Sequence, residues 1–179
     1  RCTDNQAVLD QSDYVFIALL PRVGMAIIEP LKFRKDHRIV NLMLNVKLDE
    51  IEAVIGKTKS LTHIVPLSFI AKRNGPIAIY PGNEDVISLM GKLGHVLVVD
   101  GDEKIAAIAA ITGLMTPYYT LLNNLVDWGC ENHLTMGESK AYTTAFFEAL
   151  SKYAGENDLE KLSKAMTPEA INEMTLHHI

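Results

Sequence analysis

The chain has 179 residues, 48% apolar, 22% charged and 7% aromatic, enough for one good-sized core or two small ones and too compact in composition for a peptide, a disordered tail or a large multidomain machine. Its two cysteines, Cys2 and Cys130, are too few for a disulfide-dense scaffold or a zinc cluster, and a reducing, cytoplasmic setting is the expectation. The net charge of −5 is unevenly placed: residues 1–105 hold 13 basic and 13 acidic groups, and residues 106–179 hold 4 and 9, so neither part offers the basic face a nucleic-acid backbone needs.

No stretch reads as the roughly 20 apolar residues of a membrane span, and no signal peptide is recognisable. The longest lipophilic stretch, Ile105 to Met115, is broken by Thr112 and Gly113 and reads as a buried helix. Lys32-Phe33-Arg34-Lys35, followed at once by Asp36, reads as a solvated helix end.

In chain order, Tyr14 to Leu20 is continuously apolar, as a buried parallel strand is, and Pro21 ends it. Val23 to Lys32 spaces Met25, Ile27, Ile28 and Leu31 as a helix does, and Arg38 to Leu44 reads as a second strand. Leu48, Ile51, Val54 and Ile55 form a helical stripe that stops at Gly56. His63 to Leu67 and Ile77 to Tyr80 are short strands, Glu84 to Leu93 a helix closed by Gly94, and His95 to Asp100 the last strand. Strands and helices alternating at this spacing predict a mostly parallel α/β sheet.

The period then changes. Lys104 to about Cys130 is helical with apolar groups on almost every side, and a kink is expected near Gly113 or Pro117. Glu138 to Tyr153 and Leu159 to Met166 follow, and Thr167-Pro168 starts a final helix with a cap and a proline in its first turn. Helices apolar around most of their circumference need more cover than the chain supplies, which points to a helical oligomer interface. The expectation is therefore an α/β unit over 1–102 and an all-helical unit over 103–179.

The order of segments resembles the pyrroline-5-carboxylate reductase family from about residue 3 to about residue 178. Asp4-Asn5-Gln6 followed by Asp13 to Ala18 is similar to the family's asparagine-bearing segment and next strand. Leu19-Leu20-Pro21 falls on its Val-Lys-Pro turn, and Asn45 to Gly56 on a later strand exit and helix. Val65 to Ile70 falls on Met-Pro-Asn-Thr-Pro-Ala, and Arg73-Asn74-Gly75 on a Gly-x-Gly ending. Gly113 to Tyr119 falls on Ser-Gly-Ser-Gly-Pro-Ala-Tyr, and Met166 to Asn172 on Thr-Ser-Pro-Gly-Gly-Thr-Thr. Spacing is kept while identities change: the family's lysine is Leu20, its asparagine Leu67, and paired glycines are Glu169 and Ala170. Side chains fill the close anion cradle that glycine amides provide.

The resemblance implies a partial Rossmann-type, mostly parallel sheet followed by an all-helical dimerisation domain. It implies an NAD(P)-dependent oxidoreductase acting on a cyclic imine or related small molecule, and a homodimer through the helical domain, with no nucleic-acid or membrane partner. The first strand, glycine-rich loop, first helix and second strand of that fold, some 30 to 50 residues, have no counterpart in the 179, so these residues alone are expected to form an incomplete NADP or NAD site. The alternative is a non-catalytic dimeric relative acting as a binding or structural protein. A hydroxyacid-type dehydrogenase ranks lower, because Lys140 is the one lysine between Lys104 and Lys152.

On this resemblance the cofactor-binding candidates are Asn5, Leu20, Pro21, Pro66 and Ser68. Asn5 serves equally as a turn or cap, and Ser68 as a helix cap. Thr116 and Tyr118 are the catalytic candidates, where a proline-broken helix gathers hydroxyls, and Thr116, Pro117, Tyr119, Thr167 and Asn172 are the substrate-binding candidates. The six histidines do not converge in sequence, so no metal site is expected.

Overall fold

A computed structural model describes residues 4–165; Cys2 and the helix expected from Pro168 lie outside them. Five strands, β1 (Tyr14–Ile17), β2 (Arg38–Asn41), β3 (Ser60–Val65), β4 (Pro76–Tyr80) and β5 (His95–Val98), form one sheet in that order. β1, β2 and β3 run parallel, β4 is antiparallel to β3, and β5 is parallel to β4. This is the mostly parallel α/β sheet that the alternating pattern predicts.

A parallel strand buried on both faces needs cover on both. On one face α2 (Pro21–Ile28) and α3 (Leu48–Ile55) bury Ile28, Ile51 and Ile55 against Val15, Ile17 and Ile39. On the same face α5 (Asp102–Thr112) sets Ile105 against Val65 and Ala78. On the other face α4 (Glu84–Met90) packs Val86 and Met90 on Val40, Ile64, Ile77 and Ile79. The strands end earlier than their apolar runs, because Ala18 to Leu20 and Leu42 to Leu44 leave the sheet as irregular connections.

Three polar residues in this core show how it is pinned. Asn41, fully buried, holds its own strand exit: its Nδ2 donates to the Met43 carbonyl at 3.2 Å, and its Oδ1 accepts the Met43 amide at 3.0 Å. His37, also fully buried, accepts the Arg34 amide at Nδ1 (3.1 Å). Its Nε2 therefore carries the proton and donates to the Leu9 carbonyl at 3.0 Å. Arg34 corrects the expectation of a solvated helix end. Its guanidinium donates to the carbonyls of Leu9, Asp10 and Ser12, which satisfies the open end of α1 (Asn5–Asp10). His63 and Thr62 are exceptions: His63 is 2% exposed with no hydrogen-bond partner at either ring nitrogen, and the fully buried Thr62 hydroxyl has none either.

The chain divides into two compact units, 1–114 and 115–179. The first extends past residue 102 because α5 packs on β3 and β4. The break in the long helical region falls at Gly113-Leu114, and Pro117 lies in the first turn of α6 (Met115–Glu131). A proline there removes an amide that has no helical partner in any case, so it does not kink the helix. Among the described residues, the helical run 102–131 is long and apolar enough to cross a membrane by length and composition. That corrects the expectation that no stretch is. Ile105, buried against the sheet residues Val65 and Ala78, sits inside that run.

In the second unit α6 pairs with α7 (Met136–Glu156), and α8 (Leu159–Lys164) follows. α7 opens with a capping box, Thr135 accepting the Glu138 amide while the Glu138 carboxylate accepts the Thr135 amide at 2.8 Å. The crossing is set by two small residues: Ser139 Oγ donates to the Val126 carbonyl at 2.9 Å, and a Cβ on Gly129 would lie 3.0 Å from Ser139 Cβ and collide with its hydroxyl.

Two measurements test this account. Gly129→Ala is expected to destabilise the helical unit by about 1–3 kcal/mol through overpacking, and Ser139→Ala by about 1 kcal/mol through the lost hydrogen bond. Urea titrations followed by Trp128 fluorescence read both, and unchanged midpoints would refute the close crossing. For His63, burial pushes the imidazole below its ordinary value of 6.5, with Asp102 opposing. The unfolded chain then takes up the proton first, so stability is full above about pH 6.5 and falls as pH drops towards the folded value, by at most about 1.4 kcal/mol per pH unit for one proton. His63→Gln is expected to flatten that slope, and an unchanged slope would refute it.

Candidate functional site

Because β1, β2 and β3 are mutually parallel, their carboxyl ends open on one edge of the sheet, the usual ligand edge of such folds. The residues that leave the strands there include Leu20 and Pro21 after β1, Met43 to Val46 after β2, and Pro66 to Ser68 after β3. Leu20 is extended and 60% exposed, and its side chain makes no cap for α2. The start of α2 is left without a side-chain acceptor. Pro21 takes the first helical position, where its fixed φ suits the turn. Gly24 in α2 approaches the β2 exit so closely that a Cβ there would collide with Met43 Sδ. Asn45 carries the positive φ (64°) that turns this exit. Ser68 is exposed and opens a short 3-10 helix, Ser68–Lys72, which has no side-chain cap.

Asn5 is the first residue of α1, while the capping side chain is that of Asp4, which accepts the Ala7 amide at 2.8 Å. The cap reading for Asn5 is thus corrected by one residue, since only the residue before the first helical turn has its side chain placed to reach those amides. Asn5 lines an apolar recess of about 190 Å³ with Ala18 and Leu19, next to the β1 exit. Pro66 and Ser68 lie on the β3 exit and do not line that recess.

In the helical unit, Thr116, Pro117, Tyr118 and Tyr119 occupy the first turns of α6 and are exposed. The Thr116 carbonyl accepts the Thr120 hydroxyl at 3.1 Å. The Tyr118 ring meets Phe147 of α7 edge-on at 5.8 Å and Tyr119 at a tilt, also at 5.8 Å. Thr167 and Asn172 lie outside the described residues.

A further cavity was not singled out by sequence. It measures about 530 Å³, lies between α3 and α5, and has His63 and Asp102 in its lining. Both His63 nitrogens and Asp102 Oδ1 are buried without a hydrogen-bond partner. His63 belongs to a row across the sheet, Ile17–Asn41–His63–Tyr80, and is the member of that row left polar and unsatisfied. The available signal was one histidine in the strand segment Leu61-Thr62-His63-Ile64-Val65. Among the described residues, no group of three metal-binding side chains converges.

No protein-family model matches the chain. The pyrroline-5-carboxylate reductase of Aquifex aeolicus is 29% identical over 77 residues, which are 43% of this chain and 29% of that protein, so the match spans less than a third of the relative's length. The crystal structure of Plasmodium falciparum pyrroline carboxylate reductase with NADP bound superposes with a TM-score of 0.85 at 16% identity, over 99% of this chain and 72% of that one. The 1-pyrroline-5-carboxylate reductase of Streptococcus pyogenes gives 0.82 at 14% identity, over 97% and 70%. An imine reductase from Aspergillus terreus, solved with NADPH4 and dibenz[c,e]azepine, gives 0.55 at 14% identity, over 99% and 67%. The fold, and over 77 residues the sequence, are thus similar to those of pyrroline-5-carboxylate reductases.

Proposed function

We propose that the chain is part of an NAD(P)-dependent reductase that reduces a cyclic imine or a related compound. The observation that supports this most directly is the open edge at the ends of β1, β2 and β3, in a chain whose fold matches a reductase solved with NADP. The residues at that edge fit one wall of a dinucleotide site. At the start of α2 Pro21 has no amide and those of Val23 and Gly24 donate to the Leu20 carbonyl, so the Arg22 amide is the one that meets no side-chain cap, and the Leu20 and Pro66 side chains offer apolar surface where a planar ring would lie. When bound, the cofactor supplies a hydride. The work left to this chain's residues is to hold that ring and to exclude water at the β1 and β3 exits, through Leu20, Pro21, Pro66 and Ser68. Asn5 serves the other end of the cofactor from the neighbouring recess.

For the substrate, we assign polar contact to the Thr116 and Tyr118 hydroxyls, with Pro117 and Tyr119 shaping the same stretch of α6. Thr167 and Asn172 complete this set. Positioning the imine accounts for most of the catalysis asked of them, because an effective molarity gained by orientation is worth several kcal/mol, about 7 in favourable cases.

The helical unit is proposed to bind a second copy of itself. α6 and α7 leave Leu121, Trp128, Tyr142, Phe146 and Tyr153 exposed, while Val126, Gly129, Ser139 and Thr143 are the residues they bury. That is more contiguous apolar surface than a monomer ordinarily tolerates.

Titration of NADPH fluorescence tests the cofactor edge. Leu20→Lys, on an exposed side chain, is expected to tighten binding about 3- to 10-fold and Leu20→Glu to weaken it similarly, since one charge near a phosphate is worth about 1 kcal/mol in a partly screened site. Equal effects of the two substitutions would remove the cofactor from this edge, and the absence of any NADPH response would favour the non-catalytic relative. Sedimentation tests the assembly. The expected species has about twice the 19.8 kDa chain mass, and Phe146→Glu is expected to return it to monomer. A clean wild-type monomer at micromolar concentration would overturn the dimer.

A further inference from the structure

We propose that Asn41 is a positioning residue for the dinucleotide edge, acting through Met43 and Gly24 on the β1 exit at Leu20 and Pro21. The purpose assigned to this chain of contacts rests on the reductase reading, and the contacts themselves belong to the fold.

The chain of contacts starts where strand pairing stops. Ile17 and Asn41 are the last partners between β1 and β2, and the Leu42 amide donates to the Ile17 carbonyl at 3.0 Å. One residue further on, Met43 lies outside the sheet and is fully buried. Its amide and carbonyl have no main-chain partner among the described residues. Asn41 takes the place of a neighbouring strand with one side chain, its Oδ1 accepting the Met43 amide and its Nδ2 donating to the Met43 carbonyl. A carboxamide presents an acceptor and a donor side by side. An aliphatic side chain presents neither, and an ionised carboxylate presents acceptors alone. Asn41 is itself 0% exposed, so solvent is not at hand to replace either bond.

Met43 then sets the position of α2. Its side chain lies in the cluster beneath α2 and α3, and its Sδ occupies the place where a Cβ on Gly24 would stand. A bare Cα in the helix thus admits the thioether, and Leu19 Cβ, 3.2 Å from that same place, crowds it as well. Gly24 in turn donates its amide to the Leu20 carbonyl at 2.8 Å. Leu20 is therefore one hydrogen bond from the residue that Met43 touches, and Pro21 follows it with a φ fixed by its ring.

Close-packed interiors pass a displacement on instead of absorbing it, so a shift of the Met43 peptide moves Leu20 relative to the β2 exit. Both exits belong to the edge that holds the dinucleotide. A misplacement of about 1 Å in such a wall costs roughly a hundredfold in the chemistry it serves.

The test compares Asn41→Leu and Asn41→Asp with the unaltered 179-residue chain, by NADPH fluorescence titration and by amide hydrogen exchange. Asn41→Leu is expected to weaken NADPH at least about tenfold at every pH, within the roughly hundredfold cost of a 1 Å shift. Asn41→Asp is expected to weaken it similarly at about pH 8 and to recover towards wild-type affinity at about pH 6. Burial raises the introduced carboxyl above its ordinary range, and once protonated it again both donates and accepts. A role in fold stability alone leaves the affinity of the folded chain unchanged and gives no such recovery. Exchange at the Gly24 amide is expected to quicken in Asn41→Leu relative to that at Ile51, whose amide lies in the first turn of α3 in the same cluster. If Asn41→Leu does not fold, Asn41→Asp, which keeps both hydrogen bonds at about pH 6, carries the test by its pH dependence.

Folded variants that bind NADPH as the wild type does at both pH values would overturn the proposal, as would Gly24 exchange that quickens only in step with Ile51. A wild-type chain without an NADPH response removes the reductase reading instead, and the exchange comparison then decides whether Asn41 holds the β1 exit.

Discussion

Everything in the first unit depends on burying β2. Ile39, Val40 and Asn41 are fully buried, and the strand lies between two parallel neighbours. Such a strand is stable only when helices cover both faces, because each face presents a row of apolar groups to whatever lies above it. α2 and α3 bury the Ile39 side, and α4 the Val40 side. Parallel strands also need long crossovers, which bring the exits of β1, β2 and β3 to the same edge. The edge proposed for a dinucleotide is therefore a by-product of how β2 is buried. The same reasoning explains the cavity. α3 covers β1 and β2, α5 covers β3 and β4, and between them the sheet presents His63 to a space that neither helix fills.

His37 and His63 make a controlled comparison within one core. Both are buried, at 0% and 2% exposure. His37 has an amide on one ring nitrogen and a carbonyl on the other, so its tautomer is fixed and its burial costs little. His63 has neither, although an apolar side chain of similar volume would close that position without leaving a polar atom unpaired. His63 therefore bears a desolvation cost that His37 does not.

The sheet was largely legible because its signals are local. Continuous apolar runs gave β1 and β2, the Leu48, Ile51 and Ile55 stripe with Gly56 behind it gave α3, and the change of period after Asp100 gave the start of the helices. What was not legible depends on contacts far apart in sequence. Arg34 looked like part of a solvated basic cluster, because its acceptors, the carbonyls of Leu9, Asp10 and Ser12, lie more than twenty positions upstream. Pro117 looked like a kink, because a proline breaks a helix interior and is harmless in a first turn, and which of these applies is settled by where Gly113 ends α5. That His63 and Asp102 line one cavity was invisible for the same reason. Nothing between the two residues signals that α5 returns over β3.

The second unit fails a criterion that the first one meets. The sheet surrounds its apolar residues with three clusters, each closed by a helix, whereas the crossing of α6 and α7 buries Val126 and three small or hydroxyl-bearing residues, Gly129, Ser139 and Thr143. Small residues let two helices approach closely, but they remove little apolar area from water, at about 25 cal/mol per Å². The apolar area of this unit lies instead in Trp128, Tyr142, Phe146 and Tyr153, on surfaces the single chain leaves open. A pair of helices so arranged gains most of its hydrophobic stabilisation on meeting more surface of the same kind. The second copy proposed above would supply that surface without any new sequence, since a two-fold interface uses one patch twice.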